Sequence, residues 1–197
     1  MLLSYSGDSL TWGYHKWGRA QHPYTDRLSQ LLTEKNIAHA IDNHGVNGDS
    51  VAEMEARLIN EILPAASKTP YTHAIVFGGT NDLATSEPED IFKHIQNMAQ
   101  LLSKTSQVYI LNVPQPGYED KVARPKYYDT RHKVNNLINQ TFPSQLIDLD
   151  SALPRLSMSD EEQKLYFDDQ LHYTAAGYTK VGEIIFEAVF SGLSKAS

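Results

Sequence analysis

Four short segments of the chain combine serine, glycine, asparagine and histidine with acidic residues in patterns that suit acyl transfer. They are GDSL at 7–10, GVNGDS at 45–50, GGTND at 78–82 and DDQLH at 168–172. A serine hydroxyl becomes a strong nucleophile when a base removes its proton, and a neutral imidazole, with an ordinary pKa of about 6.5, does this near pH 7. Ser9 and His172 are therefore the candidate nucleophile and base.

An acidic residue is needed to hold the histidine in the tautomer that accepts the serine proton. Asp168 and Asp169 both precede His172, and Asp169 lies three residues before it, a spacing at which a turn brings two side chains together. When the nucleophile adds to a carbonyl group, the oxygen gains negative charge and needs preorganised donors. Glycine N–H groups and an asparagine amide supply such donors without adding a competing charge.

Each segment alone also has an ordinary structural explanation. Ser9 is typical of a helix N-cap, and Gly48 is typical of a turn before a cap at Ser50. Asn81 is typical of a loop that satisfies its own backbone, and His172 is typical of a hydrogen-bonded surface histidine. The occurrence of all four segments together, in this order, favours the catalytic interpretation.

In this order the four segments resemble the blocks of the GDSL/SGNH hydrolase family, and the likeness covers residues 7–178. The resemblance implies a Ser-His-Asp triad made of Ser9, His172 and Asp169, with no metal ion and no cofactor. Asp169 is preferred to Asp168 because it alone has the Asp-x-x-His spacing of the family. Asp168 is then expected to be a solvated neighbour.

The same resemblance implies an oxyanion hole. Its donors would be the backbone N–H groups of Ser9 and Gly48 and the side-chain amide of Asn81. Gly48 is preferred to Gly45 because the family glycine sits in a Ser-Gly-Asp-Thr-like context, although Asn47 stands here where the family usually has serine.

Composition excludes several other classes of function. The net charge is −7 and no run of Lys or Arg is present, which argues against nucleic acid as a partner. The absence of cysteine excludes thiol catalysis and cysteine-based zinc sites, and the pair His39 and His44 lacks a clear third metal ligand. The apolar runs at 74–79 and 108–114 are too short to span a bilayer. A strand that follows Met1 directly leaves no room for a signal peptide, which favours a cytoplasmic location.

Five short apolar or alternating runs, separated by segments of helical periodicity, predict a parallel sheet with helices on both faces. The predicted strands are 2–6, 37–42, 72–77, 108–113 and 146–149. Together with the resemblance, this pattern predicts a single flavodoxin-like domain over residues 1–197, a three-layer α/β/α sandwich with a five-stranded parallel sheet. In such sheets the functional crevice lies beyond the carboxyl ends of the strands, where the first three segments are expected.

Helices are predicted from periodicity and from start signals. Three come from periodicity, at 19–34, 120–140 and 174–191. Two more begin at capping-box pairs, Ser50 with Glu53 and Ser86 with Glu89, and the second has Pro88 in its first turn.

GDSLTWG resembles family members that act on short acyl and aryl esters, and FDDQLHYTAAGY resembles small esterases of simple or acetylated alcohols. The resemblance therefore implies a small ester of the acetyl or aryl type, and the absence of a lid-like insertion favours a short acyl chain. Trp12 and Tyr14, close after the nucleophile, are candidate substrate-binding residues, and packing of the helix is an equally good explanation for them. A thioesterase or lysophospholipase would use the same catalytic residues. A non-catalytic carbohydrate-binding protein on this fold is disfavoured, since it would have no need to keep the whole catalytic set.

Overall fold

The computed structural model describes residues 1–192. Its central sheet has five parallel strands in the order β4-β1-β5-β6-β7, and a separate two-stranded hairpin pairs β2 with β3. The strands are β1 Leu2–Gly7, β2 Tyr14–His15, β3 Ala20–Gln21, β4 Ala40–Gly45, β5 His73–Phe77, β6 Gln107–Leu111 and β7 Leu146–Ile147. The predicted five-stranded parallel sheet is confirmed.

Helices cover both faces of the sheet, as the alternation of strand and helix patterns predicts. They are α1 Ser9–Trp12, α2 Tyr24–Glu34, α3 Val51–Arg57, α4 Leu63–Ala65, α5 Pro88–Leu102, α6 Pro125–Thr141, α7 Leu149–Ala152, α8 Asp160–Tyr166 and α9 Ala175–Phe190, with a π-helical turn at Leu58–Ile62 and a 3-10 turn at Arg155–Ser157. No helix within residues 1–192 is both long and apolar enough to cross a membrane.

The two-residue period of the strands divides the core between the two faces. In β5, Ile75 and Phe77 pack with α2 and α9 on one face, whereas Ala74 and Val76 pack with α3, α5 and α6 on the other. Because both faces of the central strands are buried, these strands contain nearly continuous apolar runs. The result is the predicted α/β/α arrangement, which holds the carboxyl ends of β1, β4 and β5 side by side.

Two helices begin later than predicted, and proline explains both differences. The first crossover helix begins at Tyr24, after Pro23, and part of the segment assigned to it forms the hairpin of β2 and β3. The helix predicted over 120–140 begins at Pro125. A residue that precedes proline is disfavoured in the helical conformation, so a helix starts at or after the proline.

One of the two predicted capping boxes forms and the other does not. The Ser50 side chain accepts from the Glu53 backbone N–H, and the Glu53 side chain accepts from Ser50 in return. Helix α5 instead begins at Pro88, with Glu87 as an N-cap that makes no side-chain capping bond. A box at Ser86 would require Glu87, the residue before proline, to be helical, which is unfavourable.

Candidate active site

Ser9 lies at the first position of α1, directly after the carboxyl end of β1. Asp8, not Ser9, is the N-cap, and its Oδ1 accepts a hydrogen bond from Leu10 N at 2.8 Å. The turn is tight: a Cβ on Gly7 would lie 2.0 Å from Thr11 Oγ1, so only glycine fits there. Because Asp8 caps the helix, the Ser9 hydroxyl is free to face the fourth segment.

The structure brings the three predicted triad side chains into one hydrogen-bonded chain. Ser9 Oγ lies 3.0 Å from His172 Nε2, and His172 Nδ1 lies 2.9 Å from Asp169 Oδ2. The serine and the histidine are 163 positions apart in the sequence. Both distances are within normal hydrogen-bonding range, so the arrangement is suited to moving a proton from the serine to the imidazole.

Asp169 is held in its charged form by its own turn. Burial acts to raise the pKa of this carboxyl group. Hydrogen bonds from His172 and from the backbone N–H of Leu171 outweigh burial, so the pKa of Asp169 lies below its ordinary value. Asp169 Oδ1 accepts the backbone N–H groups of Leu171 and His172, both at 2.7 Å. The charged carboxylate favours a proton on His172 Nδ1, which leaves Nε2 as the acceptor.

The three predicted oxyanion donors differ in their hydrogen bonding. Neither the backbone N–H of Ser9 nor that of Gly48 donates to any acceptor within residues 1–192. Asn81 Nδ2 donates to Asp49 O at 2.9 Å and lies 3.5 Å from Asp8 Oδ2. Asn81 thus connects the first three segments beyond the carboxyl ends of the strands.

The two glycines of the second segment have different structural roles. Gly45 ends β4, and a Cβ there would lie 2.2 Å from Trp12 N, so this glycine allows β4 to approach α1 closely. Gly48 has a φ of +86°, a left-handed conformation that favours glycine, and a Cβ on it would have no described atom within 4 Å. The open space at Gly48 is consistent with its preference over Gly45 as the donor.

Tyr14 lies against His172, and Trp12 lies next to Tyr14. The ring centroids of Tyr14 and His172 are 4.3 Å apart, and those of Tyr14 and Trp12 are 6.5 Å apart. Both aromatic side chains are partly exposed. Tyr14 is therefore placed to touch a group bound at Ser9.

Comparisons with known proteins bear on the family and the fold of the chain. A sequence model described as the GDSL-like Lipase/Acylhydrolase family matches residues 6–180. The chain belongs to this family. A comparison with curated proteins gives no match.

Solved structures share the fold of this GDSL-like chain at low sequence identity. A lipase/acylhydrolase from Enterococcus faecalis is 20% identical, with 100% of this chain and 98% of that chain covered and a TM-score of 0.77. An acetylxylan esterase from Geobacillus stearothermophilus is 13% identical over 100% and 97% of the two chains, with a TM-score of 0.75. A member of the lipolytic G-D-S-L family from Veillonella parvula is 21% identical over 98% of each, with a TM-score of 0.72.

Asp8 of the GDSL segment has a structural role that the sequence analysis missed. Its side chain is buried, with 1% of its surface exposed. Burial raises the pKa of Asp8 to about 7, the bond from Leu10 N opposes this, and the nearby carboxylates of Asp82 and Asp49 add to the rise. An aspartate before a short helix is a common N-cap, so the sequence does hold a signal for the capping role. It holds none for the burial.

Arg57 is another residue that the sequence analysis missed, and its side chain hydrogen-bonds to the carboxyl ends of both β1 and β4. Its guanidinium group donates to Asp49 Oδ2 at 2.7 Å, to His44 O at 3.0 Å and to Gly7 O at 3.2 Å. These bonds hold the Gly48 turn of the GDSL-like site beside the nucleophile turn. Arg57 lies on α3, remote in sequence from its carbonyl partner on β1, and no local pattern marks the contact.

Asp168 is not the solvated neighbour that the sequence predicts. Asp168 Oδ2 accepts from Lys16 N at 2.7 Å and lies 3.5 Å from His15 Nδ1. The carboxylate therefore connects the loop of the catalytic histidine to the β2–β3 hairpin. The prediction is wrong because these partners lie far from Asp168 in the sequence, 152 positions away for Lys16, on a hairpin whose two-residue strands have no local pattern.

The candidate metal pair from the sequence is separated in the structure. His39 Nε2 bonds to Ser29 Oγ at 2.8 Å, whereas His44 Nε2 bonds to Tyr71 Oη at 3.1 Å. Across the part of the chain that the structure describes, no group of three or more His, Asp or Glu side chains is arranged to hold a metal ion.

Proposed function

We propose that the chain hydrolyses carboxylic esters of short acyl groups through a covalent acyl-enzyme on Ser9. The observation that carries this proposal is the continuous chain of hydrogen bonds from Ser9 Oγ to His172, at 3.0 Å, and from His172 to Asp169, at 2.9 Å. Membership of a lipase/acylhydrolase family supports the reaction class.

In the acylation step, Ser9 Oγ attacks the ester carbonyl carbon while its proton passes to His172 Nε2. The carbonyl π bond opens and leaves negative charge on the oxygen. Collapse of this tetrahedral intermediate breaks the bond to the alcohol, and His172 returns the proton to the departing alcohol oxygen. The acyl group is then bound to Ser9, and the alcohol is free.

In the deacylation step, His172 removes a proton from water as the water oxygen attacks the acyl carbon. Collapse of the second intermediate releases a carboxylic acid and returns the proton to Ser9 Oγ. Charge on the carbonyl oxygen in both steps would be met by the free N–H groups of Ser9 and Gly48 and by the Asn81 amide. One donor of this kind is worth about 3–4 kcal/mol of barrier.

A short acyl group is favoured by the surroundings of Ser9. Tyr14 lies against His172, with ring centroids 4.3 Å apart, and Trp12 lies next to Tyr14, so aromatic side chains flank the proposed base. Two solved structures with this fold are described as acetyl xylan esterases, one of them from Geobacillus stearothermophilus. Acetyl esters are therefore the first substrates to test.

Labelling with a fluorophosphonate tests the nucleophile directly. We expect one adduct on Ser9, located by peptide mass spectrometry, and no adduct in Ser9→Ala. The matched control is Ser103→Ala, which removes an exposed serine hydroxyl from the end of α5 and should label fully. If the folded wild type stays unlabelled, or if Ser9→Ala hydrolyses p-nitrophenyl acetate at the full rate, the proposal is wrong.

A substrate panel tests the acyl preference. We expect kcat/KM to be highest for p-nitrophenyl acetate and to fall as the acyl chain lengthens to twelve carbons. Acyl-CoA and lysophospholipid, measured in parallel, separate an esterase from a thioesterase or lysophospholipase with the same triad. A preference for either of these, or for the longest p-nitrophenyl ester, would contradict the short-acyl proposal.

A further inference from the structure

The tip of the β2–β3 hairpin presents an exposed indole on an unusual backbone. Trp17 is 78% exposed. Lys16 and Trp17 have φ values of +51° and +57°, so two consecutive residues with side chains adopt the left-handed conformation. Each such residue costs on the order of 1 kcal/mol, and an exposed indole gains little from burial. A rigid surface tryptophan held at this cost points to a binding role.

The hairpin is attached to the catalytic loop at several points. Lys16 N donates to Asp168 Oδ2 at 2.7 Å, and Tyr178 Oη donates to Tyr14 O at 2.9 Å. Gly18 lies against the Tyr14 ring, where a Cβ would be 3.0 Å from the ring edge, and the same ring stacks on His172. Trp17 is therefore fixed relative to the triad.

A groove lined mainly by polar and charged residues lies next to Asp168. It has a volume of about 390 Å³, and Asp168 and Asp169 both line it, so it adjoins the triad. Further lining side chains offer both donors and acceptors; they include Asp160, Gln163, Lys164 and Gln170.

Arg155 also lines this groove and is more than nine-tenths buried, with 7% of its surface exposed. Its Nε and Nη1 atoms are buried and have no acceptor within residues 1–192. Buried guanidinium N–H groups without acceptors are costly, so oxygen atoms from a ligand or water in the groove would stabilise this side chain.

We propose that Trp17 and this groove form a subsite for the sugar ring of an acylated saccharide, on the alcohol side of the ester; the proposal rests on the esterase function proposed above. A sugar ring has apolar C–H faces that pack on an indole and hydroxyl groups that need both donors and acceptors. The groove supplies carboxylate, amide and ammonium groups for those hydroxyls. A lipid chain would gain nothing from them, and a nucleic acid would meet three aspartates.

The experiment compares two esters of the same acid, acetylated xylobiose and ethyl acetate, which has no ring. We expect Trp17→Ala to lower the ratio of kcat/KM for the sugar ester to that for ethyl acetate about tenfold, mostly through KM, and Trp17→Phe to restore most of the ratio. Lys164→Ala, in the groove, should lower the ratio less. The matched control is Ile59→Ala, another exposed apolar residue, 46% exposed, on the π-helical turn. An unchanged ratio in Trp17→Ala, or an equal change in Ile59→Ala, would overturn the proposal.

A binding measurement separates this proposal from the esterase function. The chain has two tryptophans, so Ser9→Ala combined with Trp12→Phe leaves Trp17 as the only indole. We expect xylobiose to protect Trp17 fluorescence from quenching by acrylamide, with saturation. If wild type hydrolyses neither ester, the esterase proposal fails, and protection by xylobiose still supports the subsite. If wild type hydrolyses ethyl acetate but xylobiose gives no protection, the subsite proposal fails alone.

Discussion

Ser9 keeps its hydroxyl group free for His172 because Asp8 caps the short helix in its place. The consequence is a buried carboxyl group next to the nucleophile, beside the carboxylates of Asp82 and Asp49. The site therefore combines two opposite electrostatic environments. Asp169 is stabilised as an anion by N–H donors, whereas Asp8 is driven towards its neutral form by burial.

Replacing Asn81, whose amide donates to Asp49 O, tests whether this side chain is an oxyanion donor. We expect Asn81→Ala to lower kcat on p-nitrophenyl acetate about 10²–10³-fold, with a smaller change in KM, because the donor acts mainly in the transition state. The matched control is Asn47→Ala, an exposed asparagine of the same crevice. Equal losses in the two variants, or a loss confined to KM, would count against Asn81 as an oxyanion donor.

The pKa of Asp8, raised to about 7, predicts a pH dependence of stability. The folded protein binds this proton more tightly than the unfolded chain, whose carboxyl pKa is near 3.8. The stabilisation from protonated Asp8 is therefore complete below about pH 3.8 and is lost as the pH rises through 7. Relative to Asp8→Asn, the wild type should lose up to about 4 kcal/mol of unfolding free energy across this range.

Urea denaturation at pH 4, 5.5, 7 and 8 measures this difference. Asp26→Asn, an exposed aspartate on α2, is the control and should follow the wild type at every pH. Parallel pH curves for wild type and Asp8→Asn would show that Asp8 does not carry the raised pKa.

At the scale of elements, the sequence predicts all five strands of the sheet. Four of them lie within about two residues of their predicted bounds, whereas the strand predicted at 37–42 lies at Ala40–Gly45. The periods of two and of 3.6 residues are local properties, and the buried strands show them clearly. The hairpin of β2 and β3 escapes prediction because two-residue strands have no period, and its shape depends on Asp168, far along the chain. The roles of Arg57 and Asp168 are missed because they depend on partners far away in the sequence. Ser9, His172 and Asp169 are found because each lies in a segment with a recognisable local pattern.

The two capping-box patterns give a matched test of one element. Ser50 forms its box with Glu53 at the start of α3, whereas Ser86 forms no capping bond at α5. We expect Ser50→Ala to lower the unfolding free energy by about 1 kcal/mol and Ser86→Ala to change it by less than about 0.5 kcal/mol. Chemical denaturation of both variants measures this. A larger loss for Ser86→Ala than for Ser50→Ala would contradict the cap assignment.

At the scale of the whole molecule, a buried cluster of charged side chains links α6, α7 and the loop after β6. Arg131 on α6 is almost fully buried and pairs with Glu119, in the loop after β6, and with Asp150 on α7. Arg131 also donates to Val113 O at 3.2 Å. The same loop contains Gly117, whose N–H donates to Gln170 O at 2.7 Å, so the cluster is linked to the loop that carries Asp169 and His172.

Removing the central charge should be costly. We expect Arg131→Met to lower the unfolding free energy by about 3–5 kcal/mol, because Glu119 would remain buried without its partner. Lys133→Met on the same helix, which breaks an exposed pair with Glu89, should cost less than about 1 kcal/mol. Denaturation of both variants by guanidinium chloride measures the two losses of unfolding free energy. Similar losses would show that burial does not make the Arg131 cluster more stabilising than the exposed pair.

The long sequence separation of Ser9 from His172 also has a consequence for biosynthesis. A ribosome completes β1 and its serine first and adds the histidine 163 residues later. Until that point Ser9 has no base to accept its proton. The proposed N–H donors then have no oxyanion to stabilise. Helix α9, which packs on α2, follows the histidine and is added later still. Translation order thus delays activation of the Ser9 hydroxyl until His172 and its loop have been synthesised.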